Sequence, residues 1–377
     1  MIQNKKRYYL TAGLVAGIIL LLSIILIVMP KQSFSENENR YLAKWPVLSW
    51  ENVKSGEYMT GVNTWLSDHF PFRNFFMGLK TDIEISFGKR EINNVYIADD
   101  DYLIEAYDIP LNTERIANTF NKFYQKVNTA GIDTHLMLVP TAHYILSDKL
   151  PQNAPKINQM DTANSIYKKS EIPFIDCTDY LMSAADTGQV YYYTDHHWTT
   201  YGAYQGYLAF CESKGFEPVS LDDMYSEVVT NKFYGTIYSK VNDYNHKSDF
   251  ITIYKNENDV LTVNYTDTGA ISDTLYNLDY VSQKDKYSLF LDNLHTLIEI
   301  TNEASETDRE LVLIKDSYAN CMVPFLAHHY KKIYVFDTRY YKQGPASFVK
   351  EHSTITDILI LYNMNTLDTD SGIRGIY

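Results

Sequence analysis

The strongest constraint on this chain is a rhythm in its second half. Thr134–Val139, Leu311–Ile314, Lys332–Phe336 and Asp357–Leu361 are dominated by apolar and β-branched residues, and helical patterns separate them. Strands apolar on both sides belong in a sheet covered on both faces, and strands alternating with helices run parallel. The helical patterns fall at Glu114–Thr129, Met160–Ser170, Thr199–Lys214, Tyr318–Tyr330 and Gly344–Glu351, with a shorter one from Thr178. Shorter strands are expected at Pro173–Asp176 and Val190–Tyr193. The rhythm lapses over residues 220–300, which read as an irregular, β-leaning insertion. The expected fold is therefore α/β, a parallel sheet flanked by helices. In such sheets ligands bind beyond the carboxyl ends of the strands.

The N-terminus is different in kind. Tyr8 to Met29 carries no charge and is rich in Leu, Ile, Val, Ala and Gly. As a helix, about 22 residues span about 33 Å, enough for a hydrocarbon core of about 30 Å. Lys5, Lys6 and Arg7 precede it, which places the N-terminus in the cytoplasm and the remainder outside. A cleavable signal peptide is the rival. Val28-Met29-Pro30-Lys31-Gln32 offers no small-residue cleavage site, so an uncleaved single-pass anchor is preferred. The expected organisation is a cytoplasmic tip and anchor (1–30), a stalk with helical and hairpin regions packed on the core (31–110), and an α/β domain (111–377). Within 31–110, helices are expected at Val53–Leu66 and Phe75–Phe87, separated at Pro71, and a hairpin turning at Asp99-Asp100-Asp101.

Charge narrows the partners. The anchor's three basic residues leave 30 basic against 47 acidic outside it, a net of −17. Such a surface repels phosphate-rich polymers, so no nucleic-acid partner is expected. It is less hostile to neutral sugars, and 33 tyrosines suit sugar faces or wet interfaces as well as a simple compositional bias. Cys177, Cys211 and Cys321 are too few and odd in number for a disulfide framework.

Chemistry concentrates in Tyr193-Thr194-Asp195-His196-His197-Trp198-Thr199. A carboxylate two residues from an imidazole can orient a general base, and in an extended segment Asp195 and His197 share a side. His197 is thus the candidate base and Asp195 its orienter, with His196 as the alternative base. A nucleophile is offered by Ser317 in Ile314-Lys315-Asp316-Ser317-Tyr318, at a strand-to-helix connection where helix amides could receive an oxyanion. Each has a plainer reading: Ser317 as a helix N-cap, Asp-x-His as a surface hydrogen bond, Trp198 as core.

Tyr193–Ala203, Y-T-D-H-H-W-T-T-Y-G-A, resembles the signature of the DHHW family of bacterial surface proteins. That family is similar to the alginate O-acetyltransferases, which carry an Asp-x-His-Trp-Thr element on an SGNH-hydrolase-like fold. Ser35–Arg40 and Asp68–Arg73 resemble N-terminal elements of the same group, and Asp316-Ser317-Tyr318 matches its nucleophile position. The resemblance implies a Ser317–His197–Asp195 triad, an acyl-serine intermediate and acetyl transfer to a cell-surface or secreted polysaccharide. No cofactor and no metal is expected. Because acetyl-CoA is cytoplasmic, the resemblance also implies a membrane-bound O-acyltransferase as donor. His196, Trp198, Tyr318 and Asn293 are further candidates for substrate or oxyanion contacts. Two departures stand out. Phe290–His295 lacks the glycines of a Gly-Gly-Asn-His element, and Lys315 replaces the glycine leading the nucleophile.

Three rivals remain open on sequence. An esterase would use the same residues with water as acceptor. Thr-Asp-His-His also resembles a motif of manganese-dependent DHH phosphoesterases, with Asp99–Asp101 as the available acidic partner, while a zinc site from His143, His196 and His197 lacks ligand spacing. A non-catalytic glycan-binding surface protein is the third.

Overall fold

The computed structural model describes residues 2–38, 40–128, 131–243 and 245–377, with side chains from Arg7 onward. The chain divides into two compact units, residues 1–89 with 241–245, and residues 90–240 with 246–377.

In the first unit, helix Ile2–Val28 contains the stretch Arg7–Val28, long and apolar enough to cross a membrane, with none of that window buried. A two-residue ladder, Phe34–Ser35 on Arg40–Tyr41, precedes helices Trp50–Ser55, Glu57–Asp68 and Arg73–Ser86. Ser49 caps the first of these, and Gly56, at φ +84°, ends it in a left-handed conformation that glycine adopts without cost.

The second unit is built on a mixed eight-stranded sheet. In chain order its strands are β1 (Asp133–Val139), β2 (Phe174–Ile175), β3 (Leu261–Tyr265), β4 (Ala270–Ser272), β5 (Leu297–Asn302), β6 (Glu310–Lys315), β7 (Lys332–Phe336) and β8 (Asp357–Asn363). Their spatial order is β4-β3-β5-β7-β6-β8-β1-β2. The run from β7 to β2 is parallel, and β5, β3 and β4 extend the edge antiparallel. The expected parallel sheet is therefore present, enlarged by strands from the region read as an insertion.

The all-apolar strands serve two cores at once. Leu311 and Leu313 of β6 join one cluster, with Leu181, Ala203, Tyr207 and Phe210 from helices Thr178–Ala185 and Thr200–Lys214. Val312 and Ile314 join the other, with Phe120 and Phe123 of helix Thr113–Val127 and Ile166 of helix Gln159–Tyr167. Period-two side-chain alternation makes this division.

Two expectations are corrected. The helix expected over Tyr318–Tyr330 is broken into a 3₁₀ turn Ser317–Cys321, a short helix Val323–Leu326 and a second 3₁₀ turn Ala327–His329. Pro324 has no N–H to bond back to Asn320, so a new helix begins around it. Val190–Tyr193 forms no sheet strand. Tyr191 bridges only to Trp198, closing a bent loop over Tyr193–His197. Asp195 thus stands in that loop rather than at a sheet strand's end. Six of the twelve largest fully buried side chains are tyrosines, so much of the tyrosine excess fills the core rather than facing sugar.

Candidate active site

Ser317 follows the carboxyl end of β6, a central strand, and its position is set by Asp316. That buried carboxylate accepts from the Tyr318 amide (2.9 Å), capping the 3₁₀ turn. Its other oxygen accepts from Asn363 N (2.7 Å), Asn363 Nδ2 (2.7 Å) and Thr366 Oγ1 (2.9 Å) at the end of neighbouring β8. Burial pushes the Asp316 carboxyl upward, and the Asn363 and Tyr318 amides, the Thr366 hydroxyl and the charge of Arg339 oppose the shift. The Ser317 amide, at the start of its turn, has no acceptor among the described residues.

The histidine loop is held by Asp249, on the strand Asp249–Lys255 that pairs with Tyr225–Phe233. Fully buried, Asp249 accepts from Tyr193 N (2.8 Å), Thr194 N (2.9 Å), Thr194 Oγ1 (2.6 Å) and Gln189 Nε2 (2.8 Å). Thr199 then caps helix Thr200–Lys214 through the Gly202 amide (3.0 Å). The loop is stitched to the serine turn by Trp198 Nε1, which donates to Tyr318 O (2.8 Å), and by the Tyr318 hydroxyl on His196 O.

These constraints bring three side chains into line. His197 Nδ1 lies 2.5 Å from Asp195 Oδ1, and His197 Nε2 lies 2.7 Å from Ser317 Oγ. A carboxylate can only accept, so Nδ1 carries the proton and Nε2 presents its lone pair to the serine hydroxyl. Asp195 Oδ2 accepts from Thr236 N (2.8 Å) and Thr236 Oγ1 (3.1 Å). The threonine hydroxyl, having given its one proton there, accepts from His196 Nδ1 (2.7 Å). Tyr287 stacks flat on the His197 ring, centroids 3.7 Å apart at 9°, and donates to the Ser317 carbonyl (3.0 Å).

Burial drives the His197 imidazole from its ordinary 6.5 to about 4. Nearby His196 and Lys315 add to the shift and Asp195 opposes it. For Asp195 burial acts upward, but the two imidazoles and the hydrogen bonds to His197 and Thr236 outweigh it and keep the carboxylate ionised. Lys315 is buried 3.9 Å from Asp337, and desolvation lowers its ammonium. A cleft of about 800 Å³ opens beside the line, lined by His196, Thr236, Tyr318, Asn363, Thr366 and Glu105 among others.

Of the seven residues singled out from sequence, Asp195, His197 and Ser317 are joined, and His196 and Tyr318 border the cleft. Trp198 is corrected: with no exposed surface it offers no face to a sugar and instead packs and hydrogen-bonds beneath the loop. Asn293 is corrected too. It sits at φ +74°, its side chain bonded to Tyr280, and no hydrogen bond ties it to Ser317 or His197 among the described residues. The extended geometry expected for the loop is replaced by a bend, yet the Asp195–His197 pairing survives.

Asp195, His196 and His197 offer donor atoms within 4.8 Å of one another. Both ring nitrogens of His197 and both oxygens of Asp195 already have hydrogen-bond partners, which leaves a metal little to bind. His143 does not join this group; it is buried against Tyr96 and Tyr107. Asp99–Asp101 form the turn of a small β-meander, with Asp100 paired to Lys149 at 2.6 Å.

Thr236, Asp249 and Tyr287 were not singled out from sequence, nor was Gly235. A Cβ on Gly235 would lie 2.3 Å from Asp195 Cβ and Oδ2, so only glycine fits there. Gly235→Ala is expected to displace Asp195, cost about 2 kcal/mol of stability and sharply reduce any turnover. A thermal melt run beside an ester assay checks both.

Fold and site define an α/β protein with an aligned Ser-His-Asp arrangement at the carboxyl end of a mostly parallel sheet. The chain belongs to the DHHW family, whose profile matches residues 87–336. A DHHW family protein from Eubacterium siraeum is similar in structure, with TM-score 0.65 and 25% identity over 75% of this chain and 96% of that one. Bacillus cereus PatB1, solved with a sulfonyl adduct, superposes with TM-score 0.64 at 19% identity, covering 75% and 98%. The O-acetyltransferase domain of Pseudomonas putida AlgJ gives 0.47 at 12% identity over 73% and 92%, too loose a superposition to argue from. No curated protein sequence matches the chain.

Proposed function

We propose that this protein is an extracytoplasmic, membrane-anchored O-acetyltransferase of the SGNH-hydrolase-like type, acting on a cell-surface or secreted polysaccharide. The observation that carries the reading is the hydrogen-bonded line Asp195–His197–Ser317 beside an open cleft. The acetyl group and the sugar acceptor come from the sequence resemblance to alginate O-acetyltransferases. The donor would be a membrane-bound O-acyltransferase.

In the first half-reaction Ser317 Oγ attacks the donor's acetyl carbonyl while His197 Nε2 takes the hydroxyl proton. The oxyanion forms within reach of the Ser317 amide. Collapse expels the donor's leaving group, which receives the proton from His197, and leaves an acetyl-serine. A sugar hydroxyl then gives its proton to His197 and attacks the acyl carbon. Breaking the ester bond returns the proton to Ser317. Asp195 keeps the imidazole oriented and stabilises it while charged. With water as acceptor, the same steps make an esterase.

The test is competition between acceptors. The full chain is incubated with para-nitrophenyl acetate and a neutral oligosaccharide, and products are read by mass spectrometry. Sugar carrying one added acetyl group supports transfer; free acetate alone favours the esterase reading.

The low His197 value sets a pH signature. The imidazole stays neutral and able to accept a proton down toward pH 4, so turnover should remain flat through pH 6, with its acidic limb below. Stability follows the same sign. Below 6.5 the unfolded chain binds a proton that the folded chain refuses until about 4. The contribution is thus complete above 6.5 and is lost as pH falls toward 4. A pH–rate profile and urea titrations at pH 7 and 5 measure the two effects.

A further inference from the structure

Within residues 1–89 the two N-terminal motifs lock to each other. Arg40 pairs with Asp68 at 2.5 Å and Arg73 with Glu38 at 2.8 Å, while Ala43 N donates to Asp68 Oδ2 at 2.8 Å. His69 lies between the carbonyls of Trp65 and Gln32. This clamp fixes the hairpin of helices Glu57–Asp68 and Arg73–Ser86 beside the end of the apolar helix. Every residue from Arg7 to Leu21 is exposed, whereas Leu22, Ile25, Leu26 and Met29 are half-buried. That spacing is one helical stripe. Ile19, Leu22 and Leu26 line one cavity with Leu66, Phe70 and Phe76 of the hairpin.

The tip joining the two helices also exposes aromatic rings: Phe70 and Phe76 border the cavity just described, and Phe72 borders another with Met29 and Pro30 at the helix's end. Phe70, Phe72, Phe75 and Phe76 are all exposed, Phe72 and Phe75 by 57% and 63%. Phe72 also holds φ +59°, a left-handed conformation unfavourable for a bulky residue. Four phenylalanines carry no polar side-chain atom, and clustered exposed rings call for an apolar covering.

We propose that the Phe70–Phe76 tip is immersed in the outer leaflet of the membrane spanned by helix Ile2–Val28, so that the N-terminal unit is a two-part membrane anchor. The proposal rests on reading that helix as membrane-spanning. Leu22 stands six residues before Val28, about 9 Å along the helix, so side chains packed beside it lie within the outer part of the hydrocarbon. Lys31, just beyond the apolar stretch, places its ammonium 5.6 Å from the Trp65 ring centre. An aromatic residue paired with a basic one is the composition of a membrane–water interface.

The test uses the full chain in vesicles of equal parts phosphatidylglycerol and phosphatidylcholine. An environment-sensitive fluorophore is attached at Phe72→Cys, Phe75→Cys, Leu14→Cys or Lys350→Cys, one per variant. The native cysteines are all buried, so labelling is selective. Doxyl-lipid quenchers should cause loss of emission at positions 72 and 75 as at 14, and leave 350 unaffected. Quenching at 14 without quenching at 72 or 75 overturns the proposal and leaves the tip to a protein partner or a second copy. No quenching at 14, 72 or 75 overturns the membrane-spanning reading along with it.

Discussion

His197→Ala is expected to lower turnover of an acetyl ester by about 10⁴-fold or more while the protein stays folded. Among the described residues the imidazole is the one group hydrogen-bonded to both Ser317 Oγ (2.7 Å) and Asp195 (2.5 Å). Its removal leaves the hydroxyl with no base, and general-base assistance of this kind contributes about 10²–10⁴-fold before the coupled loss of nucleophile activation is counted. Asp195→Asn should lose a large part of the same effect. An amide would favour donation to Nδ1, turning the protonated nitrogen toward the serine. The check is steady-state kinetics on para-nitrophenyl acetate beside circular dichroism. Wild-type rates in His197→Ala would remove the imidazole from the reaction.

Asp249→Ala should have the largest effect on stability, about 3 kcal/mol or more, measured as a shift in the urea midpoint at unchanged slope. Its carboxylate accepts four hydrogen bonds from the segment leading into Asp195, and alanine would strand those donors in a buried place. Burial raises the Asp249 carboxyl, which reduces the net gain from its charge, but unsatisfied donors cost more than a paired charge at this depth. Turnover should fall as well, because the loop carrying His197 loses its anchor. Asp249→Asn keeps one acceptor oxygen and should fall between wild type and alanine.

The parts legible in the sequence were those written locally. Between their polar end residues, strands such as β6 and β8 are apolar at every position, and that pattern demanded a doubly covered sheet. Asp195 and His197 are two residues apart, and Ser317 stands at a strand-to-helix junction, so chemistry and position pointed the same way. What supports them was not legible, since Asp249 acts on Thr194 across 55 residues and Tyr287 on Ser317 across 30. Both lie in a region with no periodicity, where a tyrosine or an aspartate looks like any other. Gly235-Thr236 left one faint signal, a glycine next to a hydroxyl residue, but the need for it exists only when Asp195 packs against it. The break at Pro324 was written in the sequence and was outweighed by the apolar run around it. Trp198 shows the converse error: a residue in the densest motif works as packing beneath it.

The most direct test of the central claim is intact-mass analysis of the full chain after brief exposure to para-nitrophenyl acetate, with peptide mapping of any adduct. The account predicts one added acetyl group, located on Ser317, absent from Ser317→Ala and from His197→Ala. Turnover with no adduct on Ser317, or an adduct that persists in Ser317→Ala, would contradict it.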